Sequence, residues 1–181
     1  MKVITPNWKA PASIKACTTV RSSWGAVDTP STDPALRASL VSLLSLPEYP
    51  IWLKQTHSAI ALPATTDNQD READASYTSE AKRVCVVLTA DCLPVLVCNQ
   101  QGTEVAAIHA GWRGLAGGVI ENTIRAMQSS PQDLLVWLGP AIGPQKFEVG
   151  RDVVDAFTQF DPASQPCFAS CGPDKWLANL Y

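Results

Sequence analysis

Apolar positions along the chain form two kinds of run. Within residues 35–45, Leu36, Leu40, Leu43 and Leu44 recur at helical spacing. Asp33 and Pro34 ahead of them read as an N-cap followed by proline at the first helical position. Pro47 and Pro50 end that helix. Val119, Ile120, Ile124 and Met127 predict one amphipathic helix over residues 115–127, stopped by Pro131, in which Gly117 and Gly118 point to close backbone packing. A further helix is predicted over 149–160. The other runs are short and rich in β-branched residues. They predict strands at 51–53, 84–89, 93–98, 104–109 and 134–138. The turn Asn99-Gln100-Gln101-Gly102 makes 93–98 and 104–109 an antiparallel hairpin. Residues 63–73 are polar and read as a surface loop, and 139–144 as a rigid loop. Asp174 reads as the N-cap of a helix beginning at Lys175, which the end of the chain leaves unfinished. That reading predicts one domain over 1–181 lacking its C-terminal segment.

Composition narrows the class. At roughly 150 residues per domain, 181 residues make one domain. Charged residues are 17% of the chain and the net charge is −3, so there is no basic surplus to track a phosphate backbone and no nucleic-acid partner is expected. Residues 1–12 hold no continuous apolar stretch of a signal peptide. The apolar run 84–98 is broken by Thr89, Asp91 and Pro94, which excludes a membrane span there. A cytoplasmic protein with no membrane partner is the expectation. In such a compartment the six cysteines are read as reduced. Cys85 and Cys98 read as small hydrophobes, and Cys167 and Cys171 lack two further ligands nearby.

The chain contains 2 histidines, His57 and His109. They suffice for one mononuclear zinc or copper site and not for a multicopper cluster. His57 follows a strand-like run, Cys92 sits at the break before the predicted hairpin, and His109 ends the hairpin. Cys92 and His109 therefore flank one end of it. Two chemistries fit. One is a thiolate nucleophile with a histidine base. The other is a metal held by His57, Cys92 and His109, with a fourth position open to water or substrate. Arg113, near a helix start, suits an anion such as phosphate or a plain surface ion pair. Asp91 reads as a turn cap, Trp112 as packing, and Glu148 as a helix-start carboxylate or a general acid.

Four stretches carry a resemblance: Lys54-Gln55-Thr56-His57, Thr89-Ala90-Asp91-Cys92-Leu93-Pro94-Val95, His109-Ala110-Gly111-Trp112-Arg113-Gly114, and 137–144 with Phe147-Glu148-Val149-Gly150. Together they closely resemble the YfiH family, also called the laccase-domain or multicopper polyphenol oxidoreductase family. The resemblance implies an α/β fold with layered mixed β-sheets flanked by helices, related to cysteine hydrolases. It implies His57, Cys92 and His109 as catalytic residues and metal ligands, with zinc or copper as the metal. It implies purine nucleoside phosphorolysis (adenosine, inosine, methylthioadenosine) and adenosine deamination, with nucleoside and phosphate as partners of a monomer or homodimer. The chain departs from the family in the short segment 22–33 before the first helix, in Val20 between Thr19 and Arg21, and in ending at Tyr181 ahead of a terminal Tyr-Arg-Arg-type motif. Rival readings are a metal-independent cysteine hydrolase using Cys92 and His109, a copper-dependent polyphenol oxidase, and an inactive binding module. Chelation separates the first from the metal reading. Failure to bind metal or nucleoside marks the last.

Overall fold

A computed structural model describes residues 1–23 and 33–181. The short segment before the first helix, noted above over 22–33, lies almost wholly outside the described residues. In chain order the described elements are β1 (Val3–Ile4), β2 (Thr18–Thr19), α1 (Pro34–Leu43), β3 (Ala61–Pro63), β4 (Ala75–Thr78), β5 (Leu93–Asn99) and β6 (Val105–Ala110). They continue with α2 (Trp112–Ala116), α3 (Val119–Ala126), β7 (Leu134–Leu138), β8 (Glu148–Val149), α4 (Arg151–Thr158), β9 (Phe168–Gly172) and β10 (Lys175–Ala178). The central sheet has the order β3-β4-β6-β5-β7, parallel at β3-β4 and antiparallel elsewhere. A three-stranded sheet β8-β10-β9 and the small β1-β2 pair complete the mixed α/β architecture.

The predicted hairpin forms, with Leu93 opposite Ala110 and Pro94 opposite His109. Strand alternation then sorts its side chains. Leu93, Val95 and Val97 with Ala106, Ile108 and Ala110 form one buried cluster, closed by Val119 and Met127 around α3. Each of the buried Leu, Val, Ile and Met side chains contributes about 1.5–3 kcal/mol. Cys98, Ala107 and His109 on the opposite face are buried too, so β5 and β6 are covered on both sides. A second cluster joins α4 to the small sheet through Val149, Val153, Val154 and Ala178, and Trp112 of α2 packs against it.

Local signals held at α1, where the Asp33 side chain accepts from the Ala35 N–H at 2.8 Å. They failed in four places. The single helix predicted over 115–127 is two, α2 and α3, because Gly118 adopts φ +84° and breaks the run. The strand expected over 84–89 is reduced to one bridge between Cys85 and Ile51. Its backbone is met by a side chain instead: the Gln55 amide donates to the Leu88 carbonyl at 2.8 Å and accepts from the Leu88 N–H at 2.7 Å. The strand expected over 51–53 is likewise reduced to the same bridge at Ile51, and the Gln69 side chain accepts from the Trp52 N–H. The helix expected from Lys175 is the strand β10, with Asp174 in the turn at φ +51° rather than capping a helix. Residues 63–73, read as a surface loop, carry buried Ala64, Asn68 and Ala73.

Candidate metal centre

Three segments far apart in the chain converge at the start of the hairpin. His109 is held by β6 and is 4% exposed. Cys92 is half-buried in the bend just before β5. His57 is exposed on a loop and takes φ +61°, a left-handed conformation costly for a residue with a Cβ. The Cys92 sulfur lies 3.9 Å from His57 Nε2, and the two imidazole centroids are 4.9 Å apart, edge to face. One ligating atom from each of the three lies within 4.8 Å of the others. Among the described residues this is the one such group of three or more His, Cys, Asp or Glu.

Asp74 organises this arrangement, and sequence reasoning missed it. Its side chain is fully buried, immediately ahead of β4. It accepts from the backbone N–H groups of Thr56, His57 and Ser58 at 3.2, 3.0 and 2.6 Å and from the Ser58 hydroxyl at 2.7 Å. Its Oδ1 also lies 2.8 Å from His109 Nδ1. The backbone pairs as well: the His109 N–H donates to the Asp74 carbonyl at 2.7 Å. Burial raises the Asp74 pKa, but its hydrogen bonds with His109, Ser58 and Thr56 outweigh this and hold it at about 2. Burial lowers the His109 pKa, yet Asp74 and the neighbouring Cys92 raise it to about 9. The only sequence hint was an aspartate at the join between a polar loop and a strand-like run.

Two glycines make room for the His57 loop. A Cβ on Gly111 would stand 2.5 Å from His57 Cδ2 and 3.2 Å from the Cys92 sulfur. One on Gly114 would meet the Ser58 carbonyl oxygen at 2.7 Å. The spacing Gly111-Trp112-Arg113-Gly114 thus lets α2 lie directly against that loop.

The donor set fits one metal ion. With Nδ1 of His109 committed to Asp74, its Nε2 is the nitrogen left for an ion. Thiolate and imidazole donors suit zinc or copper. The three donor atoms lie close enough together for one ion to be shared among them. Cys167 and Cys171 are both exposed and join no such group among the described residues.

A cleft of about 310 Å³ opens beside Cys92, lined among others by Asp91, Trp112, Ile142, Phe147 and Glu148. Leu180 reaches it from the strand β10 side, and the Tyr181 hydroxyl clips the 139–141 loop by donating to the Gly139 carbonyl and accepting from the Ala141 N–H. Glu148 pairs with Lys175. Arg113 is exposed and outside the cleft wall; its guanidinium lies 4.3 Å over the ring of Trp112, which does line the cleft.

Comparison with known proteins places the chain in a family. The family described as multi-copper polyphenol oxidoreductase laccase matches residues 13–181. A purine nucleoside phosphorylase of Haemophilus influenzae is 43% identical over 199 residues, covering 100% of this chain and 80% of that protein. The purine nucleoside phosphorylase YfiH of Escherichia coli is 42% identical over 194 residues, covering 99% and 79%. The crystal structure of Neisseria meningitidis protein NMB0706 superposes with a TM-score of 0.89 at 41% identity, covering 99% of this chain and 79% of that one. The chain belongs to the multi-copper polyphenol oxidoreductase laccase family, with YfiH-named proteins among its relatives.

Proposed function

We propose that the protein is a purine nucleoside phosphorylase working at one metal ion, zinc in preference to copper, held by His57, Cys92 and His109. The observation that carries this reading is the approach of those three donors to within 4.8 Å beside an open cleft. The purine nucleoside phosphorylase names of full-length relatives supply the reaction class. A bound ion would supply Lewis-acid polarisation of a substrate atom. The chain's own residues do the rest. Trp112 and Phe147 offer aromatic walls to a purine, and Arg113, on the ring of Trp112, offers a cation to phosphate. A phosphate oxygen attacks the anomeric carbon, the glycosidic C–N bond breaks, and the purine leaves with the bonding pair and takes up a proton. Adenosine, inosine and methylthioadenosine are the proposed nucleosides, with adenosine deamination as a side activity. The proposed working form is cytoplasmic, monomeric or homodimeric. Neither nucleic acid nor membrane is proposed as a partner; the net charge of −3 supplies no basic surplus for a phosphate backbone.

The test is phosphate-dependent release of free base from inosine and adenosine, followed in the wild-type protein and in Cys92→Ala. The expected result is a loss of at least about 10³-fold in the variant. Undiminished phosphorolysis in Cys92→Ala would refute the assignment. One second reading has an observation behind it. The Cys92 sulfur is 3.9 Å from His57 Nε2 and also neighbours His109, so the pairing of a cysteine hydrolase is present, with either histidine as base. Full activity after exhaustive chelation would favour it.

A further inference from the structure

We infer that Asp74 is the positioning residue of the metal centre, fixing both histidine ligands through one carboxylate. This rests on the metal reading of the triad. The two histidines stand 52 residues apart in the numbering of the chain, and no strand pairing joins the His57 loop to β6. What joins them is Asp74. Its Oδ1 meets both the His57 N–H and His109 Nδ1, while Oδ2 receives Thr56, Ser58 and the Ser58 hydroxyl.

Each half of that contact does something specific. Three successive backbone N–H groups converging on one anion hold the 56–58 loop in the conformation that gives His57 its left-handed backbone. On the other side, a carboxylate that accepts from Nδ1–H keeps the Nε2 lone pair of His109 free for a metal. An asparagine cannot serve both halves. With its oxygen turned to the loop donors, its amide N–H faces His109 Nδ1, which then favours the tautomer with the proton on Nε2, the ligating atom.

The experiment is zinc affinity of the full chain, measured by competition with a chromophoric chelator for the wild type, Asp74→Asn and Ser58→Ala. Circular dichroism and thermal melting accompany each titration. Asp74→Asn is expected to bind zinc about 10–100-fold more weakly. Ser58→Ala, which leaves the Oδ1 contacts in place, is expected to lose about fivefold. A purely structural aspartate would lower the melting temperature and leave the affinity of the folded molecules unchanged; that result overturns the inference. If Asp74→Asn does not fold, Ser58→Ala decides by the same criterion. A wild-type protein that takes up no zinc sinks the metal reading itself, which is a different failure from variants that bind as well as the wild type.

Discussion

His57 is the least comfortable ligand of the three. It is exposed, its backbone is left-handed, and its ring rests against the bare Cα of Gly111. Gly111→Ala places a methyl 2.5 Å from His57 Cδ2 and 3.2 Å from the Cys92 sulfur, so the ring must shift from its present place. The expected cost is about 1–3 kcal/mol of stability from overpacking and about a tenfold loss of zinc affinity. A zinc titration beside a urea melt checks both, and a variant that binds zinc normally would show that His57 is not held by this contact. Part of this site was legible beforehand. Cys92 and His109 were linked by the register of a local hairpin, which four turn residues determine. The approach of His57 and the role of Asp74 were not legible. They depend on contacts 17 and 35 residues away in the chain that leave no periodic trace.

The β5-β6 hairpin and the α1 cap followed their sequence, whereas 84–89 and 175–178, claimed by distant partners, did not. The β5-β6 hairpin and the cap of α1 arise from neighbours a few residues away. Residues 84–89 have strand composition, yet their backbone is claimed by Gln55, 33 residues earlier. The segment 175–178 has a helix-start composition, but pairing with β8 and β9 on either side makes it a middle strand. Tertiary pairing overrides propensity there. The Gln55 clamp is testable. Gln55→Ala strips the Leu88 N–H and carbonyl of their partner and is expected to cost about 1–3 kcal/mol in urea unfolding. A change below about 0.5 kcal/mol would mean that water replaces the amide without penalty.

At the scale of the molecule, the His109–Asp74 pair ties acid and alkaline stability to the site. Asp74 sits at about 2 in the folded protein against roughly 3.9 unfolded. Its contribution is therefore present above about pH 3.9 and lost as pH falls toward 2, worth about 2 kcal/mol. His109 sits at about 9 against roughly 6.5 unfolded. Its contribution is full below about pH 6.5 and lost as pH rises through 9. Urea unfolding of the metal-free protein should thus give a plateau between about pH 4 and 6.5 with a decline on each side. Asp74→Asn should flatten both limbs, and unchanged limbs would contradict the pairing.

The central claim is that two imidazoles and one thiolate share a single ion. X-ray absorption on protein loaded with one equivalent of zinc tests it most directly. The account predicts one sulfur at about 2.3 Å and two nitrogens at about 2.0–2.1 Å, with the sulfur lost in Cys92→Ala. A shell of oxygen and nitrogen alone in the wild-type protein would contradict it.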